Sequence, residues 1–272
     1  MSLLWRDRYV AVLCSDRVAI VRRRRGRNGA VALVADAPCT APTAQAAADA
    51  LAVLLARPEI GKGDLTLVLS SHFVRYLLVP WRAEVRNPAE LAAYAAICCD
   101  QMFGSEPAGR VVLTSREKAS APRIAAALDA AFMNALRSVA GASRLRLTSI
   151  QPYLAAAFNC LRESLGRSDF VFVVAEPKRS CLLVSKAGKW SSLRASATAD
   201  RPQSLVDLIE REAQLIGLDE DAMPSIFVHA PGHAPLHLPA CRGVVPQSLN
   251  VRIPEPLGCA ADPLLAMAMT VA

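Results

Sequence analysis

The sequence predicts an α/β protein that is built from two related half-domains. Three short β-like runs joined by tight turns occur near the start and again about 160 residues later, and a helical pattern follows the third run of each copy. The first copy consists of 9–14, 17–22, 30–35 and the helix 45–56, and the second consists of 170–175, 180–185, 189–194 and the helix 204–217. A repeat of this length is too long for a solenoid, so it indicates two meanders of three strands, each followed by a helix.

The segments between and after the two copies predict the remaining elements. Asn87 is a suitable N-cap, Pro88 stands at the first helical position and Glu90 completes a capping box, so we expect a helix from 88 to 103 that ends at Gly104. The other predicted elements are strands at 64–70, 74–79, 110–115, 145–150, 225–229 and 249–253, and helices at 122–140, 153–165 and from Asp262-Pro263 onward. We therefore expect a first half at 1–168, with an added subdomain at about 73–150, and a second half at 169–272.

The charge of the chain leaves two interpretations open. The formal net charge is +7, and a basic protein can favour nucleic acid or anionic lipid, although an arginine-rich codon usage gives the same number. The densest charge is the run from Arg22 to Arg27, which reads as a solvated hairpin turn, with a membrane-surface contact as the alternative. Arginines scattered along the chain and an aromatic content of 5% speak against a nucleic-acid binder, because such a protein needs a stacking platform.

The cysteines and the apolar runs indicate a cytoplasmic protein. The 8 cysteines include no CxxC pair and fall mostly within predicted strands and helices, so they read as small core residues of a reduced protein. No apolar run approaches the ~20 residues that cross a bilayer. Charged residues interrupt the N-terminus before any apolar run, so no signal peptide is predicted.

Three segments of the chain resemble a known family. They are the strand–turn–strand segment 65–81, with Arg75 and a closing Pro80-Trp81, the helical segment 91–104, closing on Phe103-Gly104, and the tail 253–271, with Pro254 and Asp262-Pro263. With the order of elements, these segments resemble the actin-like ATPase superfold, which includes actin, Hsp70 and the sugar kinases. Within it, the chain looks most like the pilus-assembly PilM proteins and the cytoplasmic domain of the type II secretion protein GspL. The resemblance implies an actin-like (ribonuclease H-like) fold with an added α/β subdomain in its first half.

The resemblance also points to a nucleotide cleft whose residues have changed. Actin-like ATPases hold phosphate and Mg²⁺ with an Asp-x-Gly turn in each meander. Here the first turn contains Ser15-Asp16 with no following glycine, and in the second turn Pro177, before Lys178 and Arg179, removes a backbone donor. The adenosine-side turn survives as Pro231-Gly232. We therefore expect weak ATP and Mg²⁺ binding at best, at Ser15, Asp16, Lys178, Arg179 and Gly232, and no catalytic residue.

A second candidate site is the series His229, His233, His237 and Cys241. A spacing of four would align these side chains on a helix, and imidazoles with a thiolate suit zinc. Four residues within the series, Pro231, Gly232, Pro235 and Pro239, forbid a continuous helix. We therefore expect a proline-rich loop and no metal site.

The resemblance implies a cytoplasmic scaffold that is held at the inner membrane by its partners. PilM-like proteins bind a short cytoplasmic peptide of an inner-membrane pilus or secretion protein in a groove where the added subdomain meets the first half. Here Arg75, Tyr76, Trp81 and Arg82 are the expected contacts, unless Trp81 is simply a core residue at a strand end. An assembly ATPase and a second copy of the chain are further expected partners. The alternative is a nucleotide-dependent enzyme of the same superfold, an ATPase or a small-molecule kinase.

Overall fold

The computed structural model describes residues 6–24, 30–166, 168–197, 202–218, 223–231, 236, 238–253 and 262–271. The strands are β1 Asp7–Leu13, β2 Arg17–Arg23, β3 Val31–Pro38, β4 Gly63–Leu69, β5 Arg75–Val79, β6 Arg110–Thr114, β7 Arg123–Asp129, β8 Leu145–Pro152, β9 Phe170–Glu176, β10 Arg179–Lys186, β11 Lys189–Ser196, β12 Ser225–His229 and β13 Gln247–Ser248. The helices are α1 Ala44–Leu55, α2 Pro88–Phe103, α3 Ala130–Ala142, α4 Tyr153–Leu165, α5 Pro202–Leu215 and α6 Pro263–Met269.

The two meanders form separate sheets with the same strand order. The first sheet runs β3-β2-β1-β4-β8 and the second runs β11-β10-β9-β12-β13. In each sheet the meander is antiparallel, and two parallel strands then extend it beyond the first meander strand. The central strands are apolar on both faces because helices or the other half cover both sides, as the fully buried strand β9 shows. The predicted duplication of the fold is confirmed.

An added subdomain interrupts the first half. Strands β5, β7 and β6 form a three-stranded antiparallel sheet in that order. Helix α2 packs on one face of this sheet, where Leu77 and Val79 of β5 and Ala125 and Ala127 of β7 meet Ala95 and Cys99. As predicted, the side chain of Asn87 caps the helix by accepting from the backbone N–H groups of Ala89 and Glu90. The domain boundaries at 73–150 and 168/169 stay a proposal.

The predicted helix at 122–140 is wrong in its first half. Residues Arg123–Asp129 form β7, the central strand of the added sheet, and the helix begins only at Ala130. The segment is rich in alanine, which favours a helix in isolation, but here it pairs with strands on both sides. Pairing and burial between two strands therefore override the local preference.

The predicted strand at 249–253 is also displaced. The second sheet ends in the two-residue strand Gln247–Ser248, and 249–253 carry no strand. One backbone bond continues past the strand, from the N–H of Leu249 to the oxygen of Val228 at 2.8 Å. The apolar residues Leu249 and Val251 instead pack against the main core.

The main core joins both halves. It contains Leu69 and Tyr153 from the first half together with Phe172 and Leu183 from the second. The final helix α6 packs back on the first sheet, where its Met267 is fully buried. Within the residues that the structure describes, no helix is both long and apolar enough to cross a bilayer.

Candidate functional site

The first turns of the two meanders face each other across a small cavity. Its volume is about 60 Å³, and its lining residues are Cys14, Ser15, Asp16, Ser70, His72, Glu176, Pro177, Lys178, Pro263 and Leu264. The predicted residues Ser15, Asp16 and Lys178 are thus brought together. Arg179 begins β10 beside the cavity and does not line it, and Gly232 lies outside the described residues.

Glu176 closes this cleft from the second half. Its carboxylate is 1% exposed and accepts the hydroxyl of Ser70 and the backbone N–H of Ser71, which lies 3.0 Å from Oε1. Both serines directly follow β4 of the first half, so this bond joins the two halves at the point where the meander turns meet. Burial raises the pKa of Glu176, and the hydrogen bonds from Ser70 and Ser71 oppose that rise.

The geometry of the second turn does not favour phosphate binding. Pro177 has no backbone N–H to offer, and Lys178 has a φ of 62°, in the left-handed region that favours glycine. A cavity of about 60 Å³ is also far below the roughly 300 Å³ at which small-molecule pockets begin. The space between the described parts of the two turns is therefore much smaller than a nucleotide-binding pocket.

A second buried hydrogen bond joins the halves beside the first. The hydroxyl of Tyr153 on α4 lies 2.7 Å from Nε2 of His229 on β12, and Nδ1 of His229 lies 2.9 Å from the oxygen of Leu249. Because a carbonyl only accepts, Nδ1 donates to Leu249 and Nε2 accepts from Tyr153. Burial lowers the pKa of His229 and thereby keeps the imidazole neutral.

The histidine series does not assemble within the described part of the chain. His229 is committed to Tyr153 and Leu249, Cys241 is fully buried, and His233 and His237 lie outside the described residues. Among the side chains that the structure describes, no three histidine, cysteine, aspartate or glutamate residues form a metal-binding group.

A large open space lies where the added subdomain meets the first half, and Leu183 and Trp190 of the second half also line it. We call it the subdomain groove, and its volume is about 570 Å³. Its apolar lining includes Tyr76, Val111, Leu113, Ile124, Ala126, Met133, Ile150, Pro152, Leu154, Phe158, Leu183 and Trp190. At its polar rim, Oε1 of Glu117 accepts from Nε1 of Trp190 at 2.7 Å and from the hydroxyl of Ser115 at 2.9 Å. Leu113 is 66% exposed, so the groove is open to solvent at this residue, while Leu154 and Leu183 in its lining are buried.

A second depression adjoins the groove. We call it the basic hollow; its volume is about 460 Å³, and it lies between the end of β5 and the start of α2. Its lining includes Trp81, Tyr94 and the four arginines Arg82, Arg86, Arg116 and Arg123, with no carboxylate among the described lining residues. Thr114, Ser115 and Arg116 line both the groove and the hollow, so the two depressions are neighbours.

The four predicted partner-binding residues lie in different environments in the structure. Trp81 is 46% exposed in the basic hollow, so the interpretation of Trp81 as a core residue is wrong. Arg82 lies beside it and donates from Nε to the hydroxyl of Tyr94 at 3.3 Å. Arg75 is exposed at the start of β5 and lines neither depression. Tyr76, the other expected aromatic anchor, is only 5% exposed and belongs to the core, but it also lines the subdomain groove.

Sequence reasoning missed most of the groove. Its walls on β7 fell within the segment predicted as a helix, and the residues on β8 and α4 read as ordinary core. The available signal was the apolar run 111–113, because three consecutive apolar residues of a strand place apolar side chains on both faces of the sheet. Helix α2 covers the face of Val112, and Val111 and Leu113 line the groove on the other face.

Comparison with known proteins supports the fold. No protein-family model and no curated protein sequence matches the chain. The PilM–PilN type IV pilus biogenesis complex contains a chain similar in structure, with 13% identity, 96% of each chain covered and a TM-score of 0.63. The cytoplasmic domain of EpsL, an inner-membrane component of the Vibrio cholerae type II secretion system, is also similar, with 11% identity, 97% of this chain and 93% of that one covered, and a TM-score of 0.55.

A further solved structure agrees. A Bacteroides thetaiotaomicron protein with an actin-like ATPase fold has 8% identity, 86% of each chain covered and a TM-score of 0.57. At these identities the similarity concerns the fold alone. Together with the two matching sheets, it shows that the chain has the actin-like ATPase fold with an added α/β subdomain in its first half.

Proposed function

We propose that the protein is a cytoplasmic scaffold of an inner-membrane pilus or secretion assembly that binds an extended peptide of its partner. One observation carries the proposal: the cavity between the two meander turns is only about 60 Å³, while the subdomain groove offers about 570 Å³ of mainly apolar space. The two structural neighbours from a pilus complex and a secretion system support this direction. The alternative of an ATPase or a kinase requires a nucleotide site, and the small cavity between the described turns speaks against it.

The linings of the two depressions define the chemistry of the peptide. The groove favours apolar side chains, since apolar area removed from water contributes about 25 cal/mol per Å². The basic hollow favours carboxylates, because four guanidinium groups surround it without an acidic neighbour in its described lining. Strand β6 is the outer strand of its sheet and borders the groove through Val111 and Leu113. An extended peptide could therefore pair with the edge of β6 while its alternate side chains enter the groove.

The test uses a synthetic partner peptide, an extended segment of alternating leucines followed by a run of glutamates, which matches the apolar groove and the basic hollow. We expect calorimetry to give micromolar binding to the wild type. Leu113→Glu places a charge in the groove and should weaken binding by at least about tenfold, as should the double variant Trp81→Ala with Arg82→Glu.

The matched control is Val53→Glu on α1. Val53 is 62% exposed, close to the 66% of Leu113, and it lines neither depression. This variant should bind like the wild type, and circular dichroism should show that every variant is folded. Equal affinity of folded Leu113→Glu and Val53→Glu proteins would place the contact outside the groove and contradict the proposal.

A further inference from the structure

One end of the first sheet carries a concentration of basic side chains that the peptide groove does not use. At the start of β1 and the end of β2, Arg8 stands directly across from Arg23, and Arg24 follows Arg23. At the same end of the sheet, Asp7 of β1 pairs with Gly63 of β4, which pairs with Leu145 of β8. The residue before each of these three is basic: Arg6, Lys62 and Arg144. We call these six basic residues the basic sheet end.

The charges of the basic sheet end are exposed and unpaired. All six side chains are exposed, and within the described residues none of them forms an ion pair. The nearby carboxylate of Asp64 is held instead by Arg146, at 2.9 Å. Six of the chain's 31 lysines and arginines are thus gathered at this end of the sheet.

This arrangement works against the stability of the sheet. Like charges directly across two antiparallel strands are destabilising, and Arg8 and Arg23 occupy such a position. The pair would be relieved by an anionic partner that lies over both strands.

The shape of the surface identifies the partner. The charges lie on neighbouring strand ends from β2 to β8, spread over about 14 Å of sheet width. Beside them a hollow of about 250 Å³ has a polar lining of Arg8, Arg23, Asp64, Thr66 and Thr148. Arg146 holds the carboxylate of Asp64, and the Thr148 hydroxyl donates to the oxygen of Leu65, so the guanidinium groups of Arg8 and Arg23 are the groups that suit the phosphate of a headgroup. The one aromatic residue that lines this hollow, Tyr9, is 1% exposed, so no base-stacking platform is present there.

We propose that the basic sheet end binds the surface of a membrane that contains anionic phospholipids. This contact is separate from the peptide groove and lies one strand length, about 20 Å, from the nucleotide cleft, because that cleft is at the opposite end of β1. A basic side chain near an anionic membrane surface strengthens binding by about fivefold. The protein would thus bind the membrane directly and in a salt-sensitive way, in addition to its attachment through the proposed partner protein.

The experiment is sedimentation of the purified chain with vesicles. We expect binding to vesicles of phosphatidylcholine mixed with phosphatidylglycerol, no binding to phosphatidylcholine alone, and a steep loss of binding as salt is raised. The triple variant Arg8→Gln, Arg23→Gln and Arg24→Gln should bind on the order of a hundredfold more weakly. The control removes the same number of charges elsewhere, with Arg162→Gln, Lys186→Gln and Lys189→Gln, all of which are exposed.

Three results would overturn the proposal: no binding to the anionic vesicles at low salt, equal binding by the folded triple variant and the folded control, or tighter binding to duplex DNA than to the vesicles. The Leu113→Glu variant should bind vesicles like the wild type. Failure of the peptide proposal therefore leaves this test intact.

Discussion

Replacing Ser70 with alanine tests the bond that closes the nucleotide cleft. Ser70 is 1% exposed, and its hydroxyl donates to the buried carboxylate of Glu176 in the other half. A hydrogen bond to a charged group contributes about 1.5–3 kcal/mol, so Ser70→Ala should lower the free energy of unfolding by about 2 kcal/mol. For a chain of this size, that corresponds to a fall in the melting temperature of about 3–4 °C.

The pH dependence of the stability lost in Ser70→Ala distinguishes loss of the hydrogen bond from loss of packing. The bond favours the ionised carboxylate, so without Ser70 the pKa of Glu176 should rise beyond its already raised position. The loss should therefore be full at pH above that pKa and should shrink as the pH falls through it. Urea unfolding at several pH values measures this, with Ser138→Ala on the exposed face of α3 as the control, expected to change stability by less than about 0.5 kcal/mol. A loss that is the same at every pH, or no larger than in the control, would refute the proposed closure.

Two further predictions concern the packing around the halves. Gly63→Ala should destabilise the fold by about 1–3 kcal/mol, because a Cβ there would lie 2.4 Å from the oxygen of Asp7 and 2.8 Å from the Tyr9 ring. Thermal melting measures this loss, and an unchanged melting temperature would contradict the close approach. Burial lowers the pKa of His229 below its usual 6.5, so the unfolded chain takes up a proton before the folded one as the pH drops, and the free energy of unfolding should fall as the pH drops through 6.5. In urea titrations, His229→Gln should flatten this fall. An unaltered pH dependence would mean that another group is responsible.

The regular features of the fold could be predicted from the sequence. The meanders were readable because their strands are short apolar runs between tight turns, and α4 was predicted at Tyr153–Leu165 because Gly166 ends it. The segment 123–129 was not readable, because alanines at 125–127 fit a helix or a strand equally well until their neighbours are known. Only the pairing with β5 and β6 decides between the two.

The candidate sites were predictable in part. The absence of glycine in the two turns was visible in the sequence, and it led to the expectation of a degenerate cleft at Ser15, Asp16 and Lys178. The role of Glu176 in joining the two halves could not be predicted, since its partner Ser70 is 106 residues away along the chain. The subdomain groove and the basic sheet end likewise depend on strand order, which brings together residues such as Lys62 and Arg144 that no local pattern connects.

The most direct test of the central claim is hydrogen exchange of the chain alone, with Mg-ATP and with the partner peptide. If the protein is a peptide-binding scaffold with a closed nucleotide cleft, the peptide should slow amide exchange in β6 and at the start of α2, while Mg-ATP should leave the turns 14–17 and 176–179 unchanged. Protection of those two turns by Mg-ATP, with no protection of β6 by the peptide, would contradict the account.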